Sequence, residues 1–438
     1  LEATGTGNAT AILGGTQLTS VTVQNNIISN IRTSATTGTE AVGIDIAGTT
    51  MDISGNTITS ISSAGTGVSS GIAVKGGGTA TVNRNKIHTV TNIASGTATA
   101  PRVHGIQIQA GTNITAANNF IANLTAPSLG GSDVIRGLSI LSKTAATTYK
   151  LYYNSVYLNA ASSATNFGSS AVFDSTSATA TTAALEMIDN IFVNTSTANG
   201  TGKTVVFRRS DATLDNYAAT SNYNLYYAGT PGAARLIFDD GTNSDQTLTA
   251  FKTRVSARDA NAISAMPDFT SATDLHLVAG LNCEIEGKGT PVSGYTTDID
   301  AATRHATTPD IGADEFNGAT AVTTLAGVVS STICNGRDIA GTTTFRTNTC
   351  TLIAKVQPSG ASPVSGNVSA CVYIDPAVLP AYNAEPYVQR HYDIEPAANA
   401  STSTARVTLY FSDAEFVTYN ANNAAWPDLP TVAGGGNS

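Results

Sequence analysis

The chain has 438 residues, too many for one ordinary compact core, so it requires several domains or an elongated repeat. Only 12% of its residues are charged and 6% are aromatic, the net charge is −9, and Lys and Arg form no run. These totals exclude a nucleic-acid surface built on a basic patch and argue against a helical enzyme core, while abundant Thr, Ala, Ser, Gly and Asn beside Val, Ile and Leu favours extended structure.

From residue 26 onward an asparagine recurs at the head of a short apolar run. The copies are Asn26 in NNIISNI, Asn56 in GNTITSI, Asn85 in RNKIHTV, Asn119 in NNFIANL, Asn154 in YNSVYLN, Asn190 in DNIFVNT and Asn224 in YNLYYA. Asn222 in SNYN is a looser echo of the last. Successive copies lie 30, 29, 34, 35, 36 and 34 residues apart, a period that belongs to stacked coils. A companion strand precedes each: GIDI (43–46), GIAV (71–74), GIQI (105–108) and GLSI (137–140), then the weaker AVFD, VVFR and LIFD. Strand alternation puts Ile44 and Ile46 on one face and Asp45 on the other. The unit reads as strand, turn, strand and variable loop, so residues 1–265 are predicted to form a parallel β-helix, right-handed by the usual crossover preference. Each ladder asparagine is expected to occupy a left-handed turn position and to bond its neighbours one coil away, in preference to a row of amides facing sugar or ice. Thr-rich stretches such as TATV (79–82) read as loop, which removes the threonine register that ice binding needs.

The period breaks after Asn224, and Leu248 to Ala257 carry a short helical pattern suited to a solenoid cap. Residues 266–319 then form a closing segment or cap, and 320–424 carry alternating strands (TLIAKVQ, NVSACVYID, YVQRHYDI, ARVTLYF) that predict a small β-sandwich. Ser412 with Glu415 has the spacing of a capping box, so a short helix is expected there. Residues 425–438 read as linker. No stretch reaches the roughly 18 apolar residues of a membrane span. The opening Leu1, with no signal-like segment behind it, reads as a piece of a larger protein.

Four cysteines, Cys283, Cys334, Cys350 and Cys371, include no CxxC pair, so disulfides of an exported protein are expected rather than structural zinc, with the pairing open. A β-helix can also carry polysaccharide hydrolysis or elimination. Hydrolysis needs two carboxylates about 5–9.5 Å apart. The densest candidate is Arg208, Arg209, Asp211 and Asp215 with Asp239 and Asp240 one coil later. Asp298, Asp300, Asp310, Asp314 and Glu315 form the densest acidic set and are the candidate ligands of a Ca²⁺ ion, the one cofactor considered. The competing reading has Arg304 and backbone amides satisfying them. The five histidines are far apart and no catalytic triad is indicated.

The closing segment resembles that of bacterial right-handed β-helix proteins of cell surfaces, through Pro267–Phe269, Leu275–Leu277, Gly289–Pro291, Asp298/Asp300/Arg304 and Pro309–Phe316. Residues 321–420 resemble a β-domain near the C-termini of large Bacteroidetes surface and secreted proteins, through GASPVSGNVSACVYID and PYVQRHYDIEPAANASTSTARVTLYFSDAEFVTYN. The second resemblance implies type IX secretion and a partnership with that machinery. Asp174-Ser175-Thr176 is similar to the O-glycosylation pattern of that group, making Ser175 a candidate acceptor. The expectation is a non-enzymatic extracellular or cell-surface adhesin or scaffold that binds glycans or other surfaces and is able to associate end to end; the alternative is a secreted lyase or glycoside hydrolase.

Overall fold

The computed structural model describes residues 1–5, 7–141, 147–320, 323–325, 329–339, 341–347, 349–377, 381–382, 385–423 and 426–431. It is nearly all β, with 45% strand and 4% helix. The chain divides into two compact units: Leu1–Val278 with Glu284–Phe316, and Ala279–Cys283 with Asn317–Ser438. Of the expected linker, residues 425 and 432–438 lie outside the described residues.

The first unit is a parallel β-solenoid of about seven turns. Its coils have three strands, one more than the sequence pattern suggested. The ladder sheet contains the runs that follow each asparagine, from Ile27–Thr33 and Thr57–Ser63 to Leu225–Tyr227. The glycine sheet contains the companions, from Ala9–Gly14 and Ala41–Ile46 to Arg235–Asp239. A third sheet runs through Ser20–Gln24, Thr50–Ser54, Thr79–Asn83, Asn113–Ala117, Thr148–Tyr152 and Ala184–Ile188. The TATV stretch thus belongs to a strand, with Ala80 and Val82 in the core and the threonines outside. Its small, hydroxyl-rich composition gave it the appearance of a loop.

Register is strict because one face of every strand is buried. Ile44, Ile72, Ile106, Leu138, Val172, Phe207 and Phe238 stack along the glycine sheet, all at 0% exposure. Ile58, Ile87, Ile121 and Val156 stack opposite them on the ladder sheet. The glycine in each of the first four companion motifs, Gly43, Gly71, Gly105 and Gly137, is a packing requirement. A Cβ on Gly71 would lie 2.4 Å from Ile87 Cγ2 and 2.7 Å from the Gly105 carbonyl oxygen.

The predicted helix spans Leu248–Val255, with the Thr247 side chain accepting from the Ala250 amide as its N-cap. It closes the core by burying Phe251 5.4 Å from Phe238 and 5.2 Å from Tyr226. The closing segment, in contrast, does not cap the end. It runs along the flank, over the outward side of the ladder sheet. Leu275, Ile299 and Ala313 pack on Phe120 and Ala122, while Leu277, Ile285 and Ile311 pack on Ile191, Val193 and Leu225.

The second unit is built from small, mainly antiparallel sheets around Phe345, Ile353, Val356, Val368 and Val372. Disulfides join Cys283 to Cys350 and Cys334 to Cys371, the latter two directly opposite each other in paired strands. The predicted capping box is present at Ser412 and Glu415, opening the helix Asp413–Asn422.

Candidate functional site

The asparagines form one continuous hydrogen-bonded column. Each Nδ2 donates to the Oδ1 of the next coil at 2.9 Å, from Asn26 through Asn56, Asn85, Asn119, Asn154 and Asn190 to Asn224. From Asn56 onward each Oδ1 also accepts the backbone amide of the asparagine before it, as Asn56 does from Asn26. From Asn56 onward Nδ2 also donates to a carbonyl of the preceding coil. The last donor, on Asn224, meets Asp259 Oδ1 at 2.9 Å. The amides are therefore spent on structure. The left-handed conformation expected of them sits one residue earlier, at Asn25, Gly55, Arg84, Asn118, Tyr153, Asp189 and Tyr223, with φ between 50° and 67°.

The Arg208–Asp240 cluster is split by strand alternation. Arg208 and Asp239 face outward and pair at 2.7 Å. Arg209 points into the solenoid, where its Nη1 meets Asp174 at 2.7 Å with both side chains at 0% exposure. Asp211 caps Thr213, Asp240 caps its own turn through the amides of Thr242 and Asn243, and Asp215 is exposed. On the outward face of the glycine sheet the sequence pattern missed two partners, Asp133 and Arg136, because their strand, Leu129–Ile140, lies two coils away from Arg208. The charges form a chain: Arg136 to Asp133 at 2.7 Å, Asp133 to Arg208 at 3.5 Å, Arg208 to Asp239, and Asp239 to Lys203 at 2.9 Å. Arg136 also lies 3.3 Å over the Phe173 ring. Beside it His104 is fully buried, and burial together with the Arg136 charge pushes its pKa down to about 3. The imidazole is therefore neutral. Both carboxylates in this chain are engaged by cations, which leaves neither as a free base opposite a free acid.

The closing-segment acids also separate. Asp298 accepts from the amides of Asp300, Ala302 and Glu315. Asp310 accepts from Gly287 and Phe316, and burial pushes its pKa up to about 8 against these bonds. Glu315 binds Arg304 and the amides of His305 and Asp310. Arg304 itself reaches Asn118 Oδ1 and the Gly312 carbonyl and lies 4.0 Å over Tyr153. The motif residues thus tie the segment to the solenoid's side. Among the described residues, Asp298 and Asp310 do not join the group whose ligand atoms come together.

Only Asp300 and Asp314 come together, joined by His276, which the sequence did not single out. Their ligand atoms lie within 4.8 Å of one another. One imidazole and two carboxylates suit a transition ion better than Ca²⁺, which takes six to eight oxygens. His276 bonds Asp274 through Nδ1 and Asp300 through Nε2, and Asp300 also pairs with Lys86 at 2.7 Å. Burial opposes the His276 charge, but these carboxylates outweigh it and raise its pKa.

Over the first coils the outward residues of the ladder sheet, such as Ile27, Ser29 and Arg32, are exposed in the first unit. There, over the first coils, lies an open trough of about 770 Å³. Asn30, Ser60, Ser62, Thr89 and Thr91 line it, with Arg32 paired to Glu2 at 2.7 Å. Ser62 and Thr91 are register partners, and Thr91 bonds Thr125 at 2.7 Å. Ser175 is 5% exposed and its amide donates to the Ile140 carbonyl, so the folded coil does not present it as a glycosylation acceptor. Among the described residues no helix is long and apolar enough to cross a membrane. No family model, curated protein or solved structure matches this chain.

Proposed function

We propose that the protein is a non-enzymatic extracellular or cell-surface scaffold whose solenoid is a stiff platform for neutral glycans. The trough on the ladder sheet carries this reading. Hydroxyl and amide groups repeat along it at the strand spacing of about 4.8 Å, close to the length of one sugar unit. Its charged lining pair is already neutralised. Side chains held on strands lose little freedom when they bind, and polar rows displayed on a rigid frame suit recognition rather than bond cleavage. The outward ion-pair chain on the glycine sheet supports the same view, since its carboxylates act as counter-ions. Two disulfides and the surface-protein resemblance support an exported location; delivery by type IX secretion rests on the resemblance alone.

The test is a glycan array run beside a polysaccharide-degradation screen on the full chain, with Thr91→Tyr filling the trough. The expected outcome is saturable binding to neutral glycans that Thr91→Tyr abolishes at unchanged melting temperature, without product release. Release of oligosaccharides from any polysaccharide would overturn the reading, as would binding that ignores Thr91→Tyr.

A further inference from the structure

We infer that the closing segment binds a divalent transition ion, of which zinc is the type, on His276 Nε2, Asp300 and Asp314. Their ligand atoms lie within 4.8 Å of one another although they come from three separate stretches of the segment. Asp314 is the informative member. It is 7% exposed, its Oδ2 accepts from the Leu277 amide at 2.7 Å, and its other oxygen meets no donor among the described residues. Asp298 and Asp310, by contrast, take three and two backbone amides. A carboxylate accepts on both oxygens, so a buried one with a single donor has capacity left for an ion. The ion has a way in, because the His276 and Asp300 side chains are 28% and 49% exposed.

The imidazole is already set for coordination. Its Nδ1 donates to Asp274, which leaves Nε2 as the ligating atom, the arrangement in which a carboxylate orients a metal-bound histidine. The Phe120 ring fixes the imidazole plane from the ladder sheet, edge to face at 4.9 Å. Nε2 meets Asp300 Oδ2 at 2.6 Å, while Lys86 occupies Oδ1. An ion takes the place of the Nε2 proton and parts these two atoms to about 3.3 Å, the separation of neighbouring ligands on a tetrahedral zinc. The half-exposed Asp300 side chain has room for that shift. Charge favours the exchange. Asp274, Asp300 and Asp314 face one cation, Lys86, so a neutral imidazole leaves two negative charges over, which a divalent ion matches and a proton only halves. One nitrogen and two oxygens suit zinc, whereas Ca²⁺ and Mg²⁺ take oxygen sets.

This site shares no residue with the solenoid trough, so either reading can fail alone. The probes are zinc and cobalt chlorides, with calcium chloride as control, titrated into the tag-free full chain after dialysis against a chelator. One zinc per chain is expected to bind saturably by calorimetry, shifting the His276 ring resonances, and cobalt should give the intense visible bands of a four-coordinate ion. Asp300→Asn and Asp314→Asn should each weaken zinc binding tenfold or more with the fold intact by circular dichroism. Asp274→Ala should weaken it about tenfold by releasing the imidazole, and His391→Gln, in the second unit, should leave it unchanged. If Asp314→Asn fails to fold, Asp300→Asn, at a half-exposed side chain, still decides. No saturable zinc binding, His276 resonances that zinc does not move, binding indifferent to Asp300→Asn, or tighter binding of Ca²⁺ than of zinc would each overturn the inference.

Discussion

The asparagine column makes a position-dependent prediction. Replacing Asn119 with Ala removes four bonds: two that it accepts, from the Asn85 amide and Asn85 Nδ2, and two that it donates, to Asn154 Oδ1 and the Val82 carbonyl. All of these groups are buried. Asn154 Oδ1 keeps the Asn119 backbone amide at 3.3 Å, so the groups left wholly without their ladder partner are mainly the Asn85 donors. At about 1–3 kcal/mol per orphaned buried group, the substitution should cost about 3–5 kcal/mol. Asn26 is the first amide of the column and gives up only its bonds to the Gln24 carbonyl and Asn56 Oδ1, in part-exposed surroundings. Asn26→Ala should therefore cost less than about 1 kcal/mol. Solenoids unfold locally, so native-state hydrogen exchange of the flanking coil amides is the appropriate assay, with denaturant melting beside it. Equal costs at positions 26 and 119, or a cost at 119 under about 1 kcal/mol, would refute a load carried by buried amide pairing.

Asp174→Ala leaves the Arg209 guanidinium in the core without its counter-ion and should destabilise the solenoid by about 3–5 kcal/mol, measurable by urea unfolding; a cost near zero would show that Arg209 turns out to solvent. Opening Cys334–Cys371, which closes a 37-residue separation, should cost the second unit about 4 kcal/mol in the chain-entropy model and leave hydrogen exchange in the solenoid coils unchanged. The pKa of Asp310 is raised on folding to about 8 and that of Asp259 to about 6, both chiefly by burial, so the folded state binds their protons more tightly than the unfolded chain does. Their contribution is full at low pH and is lost as pH rises from about 4 to 8, so the solenoid should melt lower at pH 8 than at pH 5, and Asp310→Asn should flatten that slope. The raised His276 pKa acts in the same direction at higher pH: its ion pairs are lost as pH climbs through the folded value, and imidazole NMR resonances should report a midpoint above that of a free histidine.

The path of the chain was readable where a residue type had a single steric solution. Asn56 and its equivalents, Gly71 and its equivalents, and the Ile44/Asp45/Ile46 alternation each have one place in a parallel coil, and they set two of the three strands. The third strand was hidden because Thr79–Asn83 buries only Ala80 and Val82, and two small apolar residues among threonines do not differ from a surface loop in sequence. The same limit explains the charge clusters. Arg208 and Arg209 are adjacent in sequence yet lie on opposite sides of the sheet, while Asp133 and Arg208 are 75 positions apart and still meet in space. Asp298 to Asp314 looked like an ion site because sequence density does not show how many backbone amides each carboxylate accepts. His276 drew no attention because its partners, Asp274 and Asp300, are set by the path of the closing segment over the ladder sheet.

The direction of the ladder shows how this fold separates its constant residues from those free to recognise a ligand. Every side-chain amide points its nitrogen toward the next coil, so the column's dipoles add, as peptide dipoles do in a helix. The column ends on a donor, Asn224 Nδ2, and the group facing that positive end is the Asp259 carboxylate, which also receives the hydroxyls of Tyr217 and Tyr226. A carboxylate there matches the accumulated polarity at the end of the repeat, just where the helix Leu248–Val255 closes the core. The repeated motif is thereby consumed at each coil and at its terminus. What remains unconstrained are outward positions that differ from coil to coil, such as Asn30, Ser62 and Thr91. Ligand recognition by a solenoid built this way has to come from those variable outward rows, because the buried asparagines from Asn56 onward are already engaged at both Nδ2 and Oδ1.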